Sequence, residues 1–287
     1  MNIMKLRPLF LVISIILLTS SVLSIIFWGF KPSIDFTGGA VWELNSTKIN
    51  EDNFKEVFTQ NQIELKEFNN LGNNNYSLKF IDVTLAQKEI LNTSLKEIDT
   101  DIKELKFESV GAILGRELLK KTIFAVILTS LFLFLFIGRR FRDFSFGTSA
   151  VLAMLHDTLI LMGSFSVLGH FFGAQLDSLF VTAILTTLSS SVHDTVVTFD
   201  RIRELKKQTY QLDWVKLSNQ AVTETLTRSI NNSMTIIFML TSLVFLGGDT
   251  TRWFATALLI GVICGTYSSI GVAIPLVIFF KKHLKKK

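Results

Sequence analysis

The sequence predicts an α-helical membrane protein with six transmembrane helices and a small α+β, ferredoxin-like extracytoplasmic domain. Three observations predict it. Of the 287 residues, 49% are hydrophobic and 18% charged, with 26 Phe, and the apolar residues are massed in runs long enough to cross a bilayer. One long polar stretch, residues 31–121, interrupts those runs and is patterned as short strands and helices. The charge is also split. Lys31 to Val110 holds 9 Lys, no Arg and 14 Asp or Glu, net −5, while the remainder holds 20 basic and 10 acidic residues, net +10. The basic residues lie in short loops between apolar runs. A nucleic-acid partner would want them massed on one folded face, which excludes that class; orientation in a membrane accounts for them. The single cysteine, Cys264, permits no intramolecular disulfide and reads as a small packing residue.

The elements follow in order. Residues 1–30 form a cytoplasmic N-terminus and a first span. Leu9–Phe30 is too long for a signal-peptide core and lacks a small-x-small cleavage site after it. Residues 31–121 open with Ile34-Asp35-Phe36-Thr37-Gly38-Gly39, where paired glycines permit a sharp entry into the domain. Then come a strand (Ala40–Asn45), a helix (Asn50–Asn61), a strand (Ile63–Asn69), a Gly/Asn turn (Gly72–Asn74), a strand (Asn75–Ile81), a helix (Leu85–Ile98) and a strand (Ile102–Val110). Tyr76, Leu78 and Phe80 alternate with Ser77 and Lys79 at the period of a half-buried strand. The order βαββαβ is the split βαβ unit. Gly111–Lys121 is amphipathic and is expected to lie along the membrane surface, with a plain extension of the next helix as the alternative.

Residues 122–287 hold five further spans: Thr122–Ile137, Phe144–Leu168, Leu179–Phe199, Arg228–Leu246 and Phe254–Phe280. A basic loop (138–143), a basic connection (201–227) and a lysine tail all fall on one side with the N-terminus. The opposite short loops carry only Arg252. The excess of Lys and Arg marks the cytoplasmic side. Both termini are therefore expected in the cytoplasm and residues 31–121 outside, in a multi-pass protein of the cytoplasmic membrane.

The ionisable residues inside the spans are the candidate site, because an intramembrane charge is costly and needs a partner. On the fourth span Thr187, Ser190, Ser191, Asp194, Thr198 and Arg201 share one helical face. Arg228 opens the fifth span, and 19 residues from it cover ~28 Å, close to the hydrocarbon thickness; Asn231, Asn232 and Thr235 follow it. Arg228 is either an interfacial anchor or the partner of Asp194. The tripeptide His-Asp-Thr occurs twice, at His156-Asp157 and at His193-Asp194. Adjacent helical side chains diverge by about 100°, so no metal site is expected. A histidine near an aspartate handles protons well, or else fixes helix packing by hydrogen bonds. Gly261, Gly265 and Ser269, four apart, form a small-residue packing face. No nucleotide loop and no nucleophile–base pair is found, so no enzyme activity and no cofactor are expected.

Val192–Leu205 (VHDTVVTFDRIREL), together with IDFTGG at 34–39, VGAILGREL at 110–118, LTRSINNSMT at 226–235 and GTYSSI at 265–270, resembles the SecF type of the SecD/SecF family, of the resistance-nodulation-division transporter class. The resemblance covers nearly the whole chain. It implies a subunit that pairs with a SecD-like subunit, associates with the SecYEG channel, and uses the proton gradient to help draw translocating preproteins across the cytoplasmic membrane. By motif it assigns the proton path to Asp194 and Arg228, and places the Gly38-Gly39 motif at the junction of membrane and outer domain. One position departs: the family usually has Asn before that Asp, and here it is His193, which is expected to shift the pH dependence of Asp194. His156, Asp157, Ser190, Ser191 and Asn232 are read as supporting polar groups. Two other readings stay open. A small-molecule exporter of the same class would usually carry a second long outer insertion. A non-catalytic scaffold for a membrane partner would tolerate a neutral residue at Asp194.

Overall fold

In a computed structural model the described residues are 2–81, 83–141, 143–208 and 213–284. Arg142 and Lys285–Lys287, used above to orient the chain, lie outside them. The chain divides into two compact units: residues 1–31 with 124–287, and Pro32–Ile123.

The smaller unit begins with a one-turn helix, α2 (Ile34–Thr37), and continues β1 (Gly39–Asn45), α3 (Glu51–Gln60), β2 (Leu65–Gly72), β3 (Asn75–Phe80), α4 (Leu85–Ile98) and β4 (Lys103–Val110). The four strands form one antiparallel sheet in the order β2-β3-β1-β4, the expected βαββαβ unit. Local chemistry explains the boundaries. Capping boxes start both helices, Asn50 with Asn53 and Thr84 with Gln87, satisfying amides that would otherwise be orphaned. Asn73 and Asn74, with φ of 51° and 61°, make the two-residue hairpin turn whose twist suits β2 and β3. Ala40, Trp42 and Leu44 of β1 and Leu78 and Phe80 of β3 point inward onto Phe54, Val57 and Phe58 of α3 and Leu91 and Leu95 of α4. Inside this unit, Ser46 Oγ donates to the buried Asp99 carboxylate at 2.6 Å, and the Asp101 amide donates to it at 3.0 Å.

The larger unit contains α1 (Arg7–Trp28), α6 (Phe144–Phe172), α7 (Ser178–Gln208), α8 (Trp214–Leu246), α9 (Asp249–Ser268) and α10 (Ile274–Leu284), with most of α5 (Ala112–Phe141). A π-helical turn, Ser269–Ala273, joins α9 to α10. Among the described residues six helices are long and apolar enough to cross a membrane; the protein is a multi-pass membrane protein with a small sheet domain. Two expectations change. Gly111–Lys121 is not a separate surface segment, because α5 runs unbroken from Ala112 into the second span. The connection 201–227 is largely helical: α7 extends to Gln208 and α8 begins at Trp214, so Arg228 lies well inside α8.

Small residues set the packing of the larger unit. A Cβ on Gly163 of α6 would lie 2.5 Å from the Ser21 Cα of α1, one on Gly261 would lie 2.1 Å from Thr187 Oγ1, and one on Gly265 would meet Ser191 at 3.2 Å. Hydroxyls add interhelical bonds. Ser24 Oγ donates to Gly163 O at 3.0 Å, and Ser166 Oγ donates to Ser24 O and Gly29 O at 2.9 and 2.7 Å. Without water to drive apolar surfaces together, close backbone approach and hydroxyl donors hold helices in a bilayer.

Candidate functional site

The structure treats the two aspartates of the His-Asp-Thr tripeptides, Asp157 and Asp194, differently. Asp157, in the middle of α6, is 1% exposed. Its Oδ2 accepts from Ser191 Oγ of α7 and from Ser268 Oγ of α9, each at 2.6 Å, and its Oδ1 is 3.0 Å from His156 Nδ1. The carboxylate thus ties three helices together. It is placed there because Ser191 sits on the buried side of α7, where Gly265 lets α9 come close, and because Ser268 lies one turn after Gly265. Tyr267, beside Ser268, extends the polar chain: its hydroxyl donates to Phe10 O at 2.5 Å and lies 2.9 Å from Ser14 Oγ, both on α1.

Asp194, on α7, is half-buried where α7 meets α8, and His193 beside it is exposed. His193 beside it and Arg228 of α8 are ionisable groups whose field reaches the Asp194 carboxylate. Arg228 is exposed on α8, as is Asn232, and no ion pair within 4.0 Å joins Asp194 to Arg228 among the described residues. Of the polar face read on α7, Thr187, Ser191 and Thr198 are buried and Ser190, Asp194 and Arg201 half-buried, so the stripe faces protein. The two His-Asp-Thr tripeptides therefore diverge: the first is buried and bonded to itself and its neighbours, the second lies at the edge of the bundle. No group of three or more His, Cys, Asp or Glu able to hold a metal occurs among the described residues.

The glycine motif packs within the smaller unit. Gly38 and Gly39 have φ of +71° and +127°, conformations that suit glycine. The Gly38 amide donates to Ile34 O at 2.8 Å, ending α2. A Cβ on Gly38 would lie 2.5 Å from the Ala112 Cα, and one on Gly115 would lie 2.9 Å from the Gly38 amide. Motifs 34–39 and 110–118, far apart in sequence, are thus one backbone-on-backbone contact between α2 and the start of α5. Phe36 is buried, Asp35 half-buried and Thr37 exposed, and the Thr37 hydroxyl donates to Ser33 O at 3.0 Å.

The sequence reading missed Ser268, Tyr267 and Ser14 as partners of this polar network. The signal was present in the run Gly265-Thr-Tyr-Ser-Ser, but its hydroxyls gain meaning only once α9 is set against α6.

Residues 90–283 match the family described as protein export membrane protein SecD/SecF, C-terminal. The chain is 36% identical to a protein translocase subunit SecF of Thermobaculum terrenum, over 94% of this chain and 90% of the relative, and 35% identical to a SecF of Anaerolinea thermophila, over 98% and 94%. A crystal structure of SecDF from Thermus thermophilus, described as a translocon-associated membrane protein, superposes with a TM-score of 0.85 at 29% identity. That match covers 98% of this chain and 39% of the longer one. The end-to-end matches make this chain a member of the SecD/SecF family of protein export membrane proteins.

Proposed function

We propose that the chain is a SecF-type accessory subunit of the Sec translocase, pairing with a SecD-like subunit and using the proton gradient to promote export of preproteins through the SecYEG channel. A relative from Thermus thermophilus named SecDF, 33% identical over a stretch that is 35% of its length, supports the SecD-like partner, because a chain of that name joins the two halves. Both termini lie in the cytoplasm and residues 31–121 outside in this reading, in accord with the basic loops.

The observation that carries the proton step is Asp194, a carboxylate half-buried between two spans with Arg228 on the neighbouring helix. Ionised, it is held by the field of Arg228. When it takes a proton that attraction is lost, and α7 can shift against α8. A buried charge whose partner is not locked to it makes a two-state element. His193 tunes the pH at which this happens. The repacking reaches the smaller unit through its two chain connections, at Lys31–Gly39 and at the start of α5.

The test is Asp194→Asn in a secretion assay with and without an imposed proton gradient, with assembly checked by co-purification of the SecD-like partner. The expected outcome is intact assembly and loss of the gradient-dependent part of export. Full retention of the gradient response would instead favour a scaffold whose polar stripe only packs helices.

A further inference from the structure

Asp157 is buried deeper than Asp194 and is unused by the proton step proposed above. We propose that His156 and Asp157 form a second proton-binding site within the membrane, one whose protonation state decides how tightly α6 is tied to α7 and α9. The inference rests on the proton-coupled reading only for the source of its protons; its geometry stands alone.

The groups around it define the site. From α7 it meets Ser191, and from α9 Ser268, both hydroxyl donors. Cys264 and Tyr267 of α9 also lie within the field of the carboxylate, and Tyr267 in turn binds Ser14 of α1. Asp194 is three residues beyond Ser191 on α7. Neither Lys nor Arg makes an ion pair with Asp157 among the described residues. Among the described residues, the side chain bonded to it that is able to balance its charge is His156, whose own ring is buried. An intramembrane charge is costly without a partner, so the charges of Asp157 and His156 are coupled through the contact between them.

A second observation points the same way. His156 Nδ1 is engaged by Asp157, but His156 Nε2 is buried with no hydrogen-bond partner. A buried polar atom left unpaired calls for an explanation, and a nitrogen poised to accept a transferable proton is one. The proton adds to the Nε2 lone pair or to the Asp157 carboxylate, and no covalent bond breaks within the protein. Its arrival on the carboxylate turns an acceptor of three donors into a group that must itself donate, and the bonds from Ser191 and Ser268 weaken. Ser268 immediately precedes the π-helical turn, an irregularity often found where helices adjust. Gly163, six residues beyond Asp157, carries the α1 contact on the same helix, so a change at Asp157 reaches the helix that leads into the smaller unit.

The chain has 4 histidines, so imidazole ¹⁵N signals of the full-length protein in lipid bilayers are assignable, with His156→Gln identifying the ring in question. Across a pH titration the His156 nitrogens are expected to change protonation state. In Asp157→Asn the titration is expected to differ from that of the wild type, because the ring loses the partner that holds its Nδ1. Asp194→Asn is expected to leave the titration in place. Nitrogens that hold one state over the whole range in the wild type would overturn the proposal, and that result does not depend on whether any variant folds. A wild-type titration unmoved in a folded Asp157→Asn would overturn it too, since the pair would not be coupled. Loss of gradient-dependent export in Asp194→Asn with a silent His156 would leave the coupling function standing and this site refuted. A titrating His156 with full gradient response in Asp194→Asn would do the reverse.

Discussion

In the sheet unit the largest fully buried side chains are Trp42, Phe54, Phe58 and Phe80, and Ser46 and Asp99 are its deeply buried polar pair; in the helical unit Phe199 and Leu161 are buried too, but so are Ser149, Asp157, Ser166, Ser191, Thr195 and Ser268, while Ile15, Phe27, Phe132 and Phe245 stand exposed. The same chemistry explains both. In water the large apolar side chains gain most by leaving the solvent, at roughly 25 cal/mol per Å². In a bilayer they gain little by leaving lipid, so the inside goes to residues that let backbones approach and to polar groups that lipid cannot satisfy. One chain thus carries two burial patterns: exposure of large apolar side chains is common in the helical unit, and buried hydroxyls are far more frequent there than in Pro32–Ile123.

Three experiments test that contrast, the first with the largest expected effect. Trp42→Ala empties the centre of the sheet core and is expected to destabilise that unit by about 3–5 kcal/mol, read in the intact chain as faster hydrogen exchange of the β1 and β3 amides. Phe132→Ala removes a comparable side chain, 62% exposed on α5, and is expected to change stability by less than about 0.5 kcal/mol; equal losses at the two sites would break the comparison. Gly163→Val adds bulk where a helix backbone already touches Ser21, and is expected to cost about 1–3 kcal/mol by forcing α1 from α6, visible as a lower midpoint in detergent unfolding. A cavity-free, unchanged midpoint would mean that the two helices are held by something other than close approach.

A fourth test concerns pH. The Ser46 hydroxyl, the Asp101 amide and Lys48 hold the Asp99 carboxyl below its ordinary value, against the opposing effect of burial. A carboxylate depressed on folding adds stability above its unfolded value, and that stability is lost as pH falls through the folded one. The sheet unit should therefore weaken below about pH 4. Ser46→Ala, which removes the largest cause, should leave a flatter acid profile; an identical profile would assign the acid sensitivity to other groups.

Much of this was legible in the residues. The alternation at Tyr76–Phe80, the Asn73-Asn74 turn and the two capping boxes are local signals, and the four strands and two longer helices of the sheet unit fall within three residues of where the pattern puts them. The apolar runs marked all six spans, although amphipathic residues 111–121 hid the true start of α5, since a helix that leaves a membrane changes its polarity without changing its backbone. The site was harder. Asp194 and Asp157 are both preceded by His and followed by Thr, and nothing local tells them apart.

The sequence by itself determined the number of spans, the βαββαβ order, the split of charge and the family, because each is written in periodicity, composition or contiguous motif. Only the tertiary structure decided that Asp157, with Ser191 and Ser268, sits at the junction of three helices while Asp194 sits at its margin with Arg228 outside ion-pair distance. It also decided that the Gly38 and Gly115 motifs are two sides of one contact. The reason is geometric. Which face of a helix meets which neighbour depends on crossing positions set by glycines and serines on other helices, 34 and 111 residues away from Asp157 along the chain, and no local pattern encodes that distance.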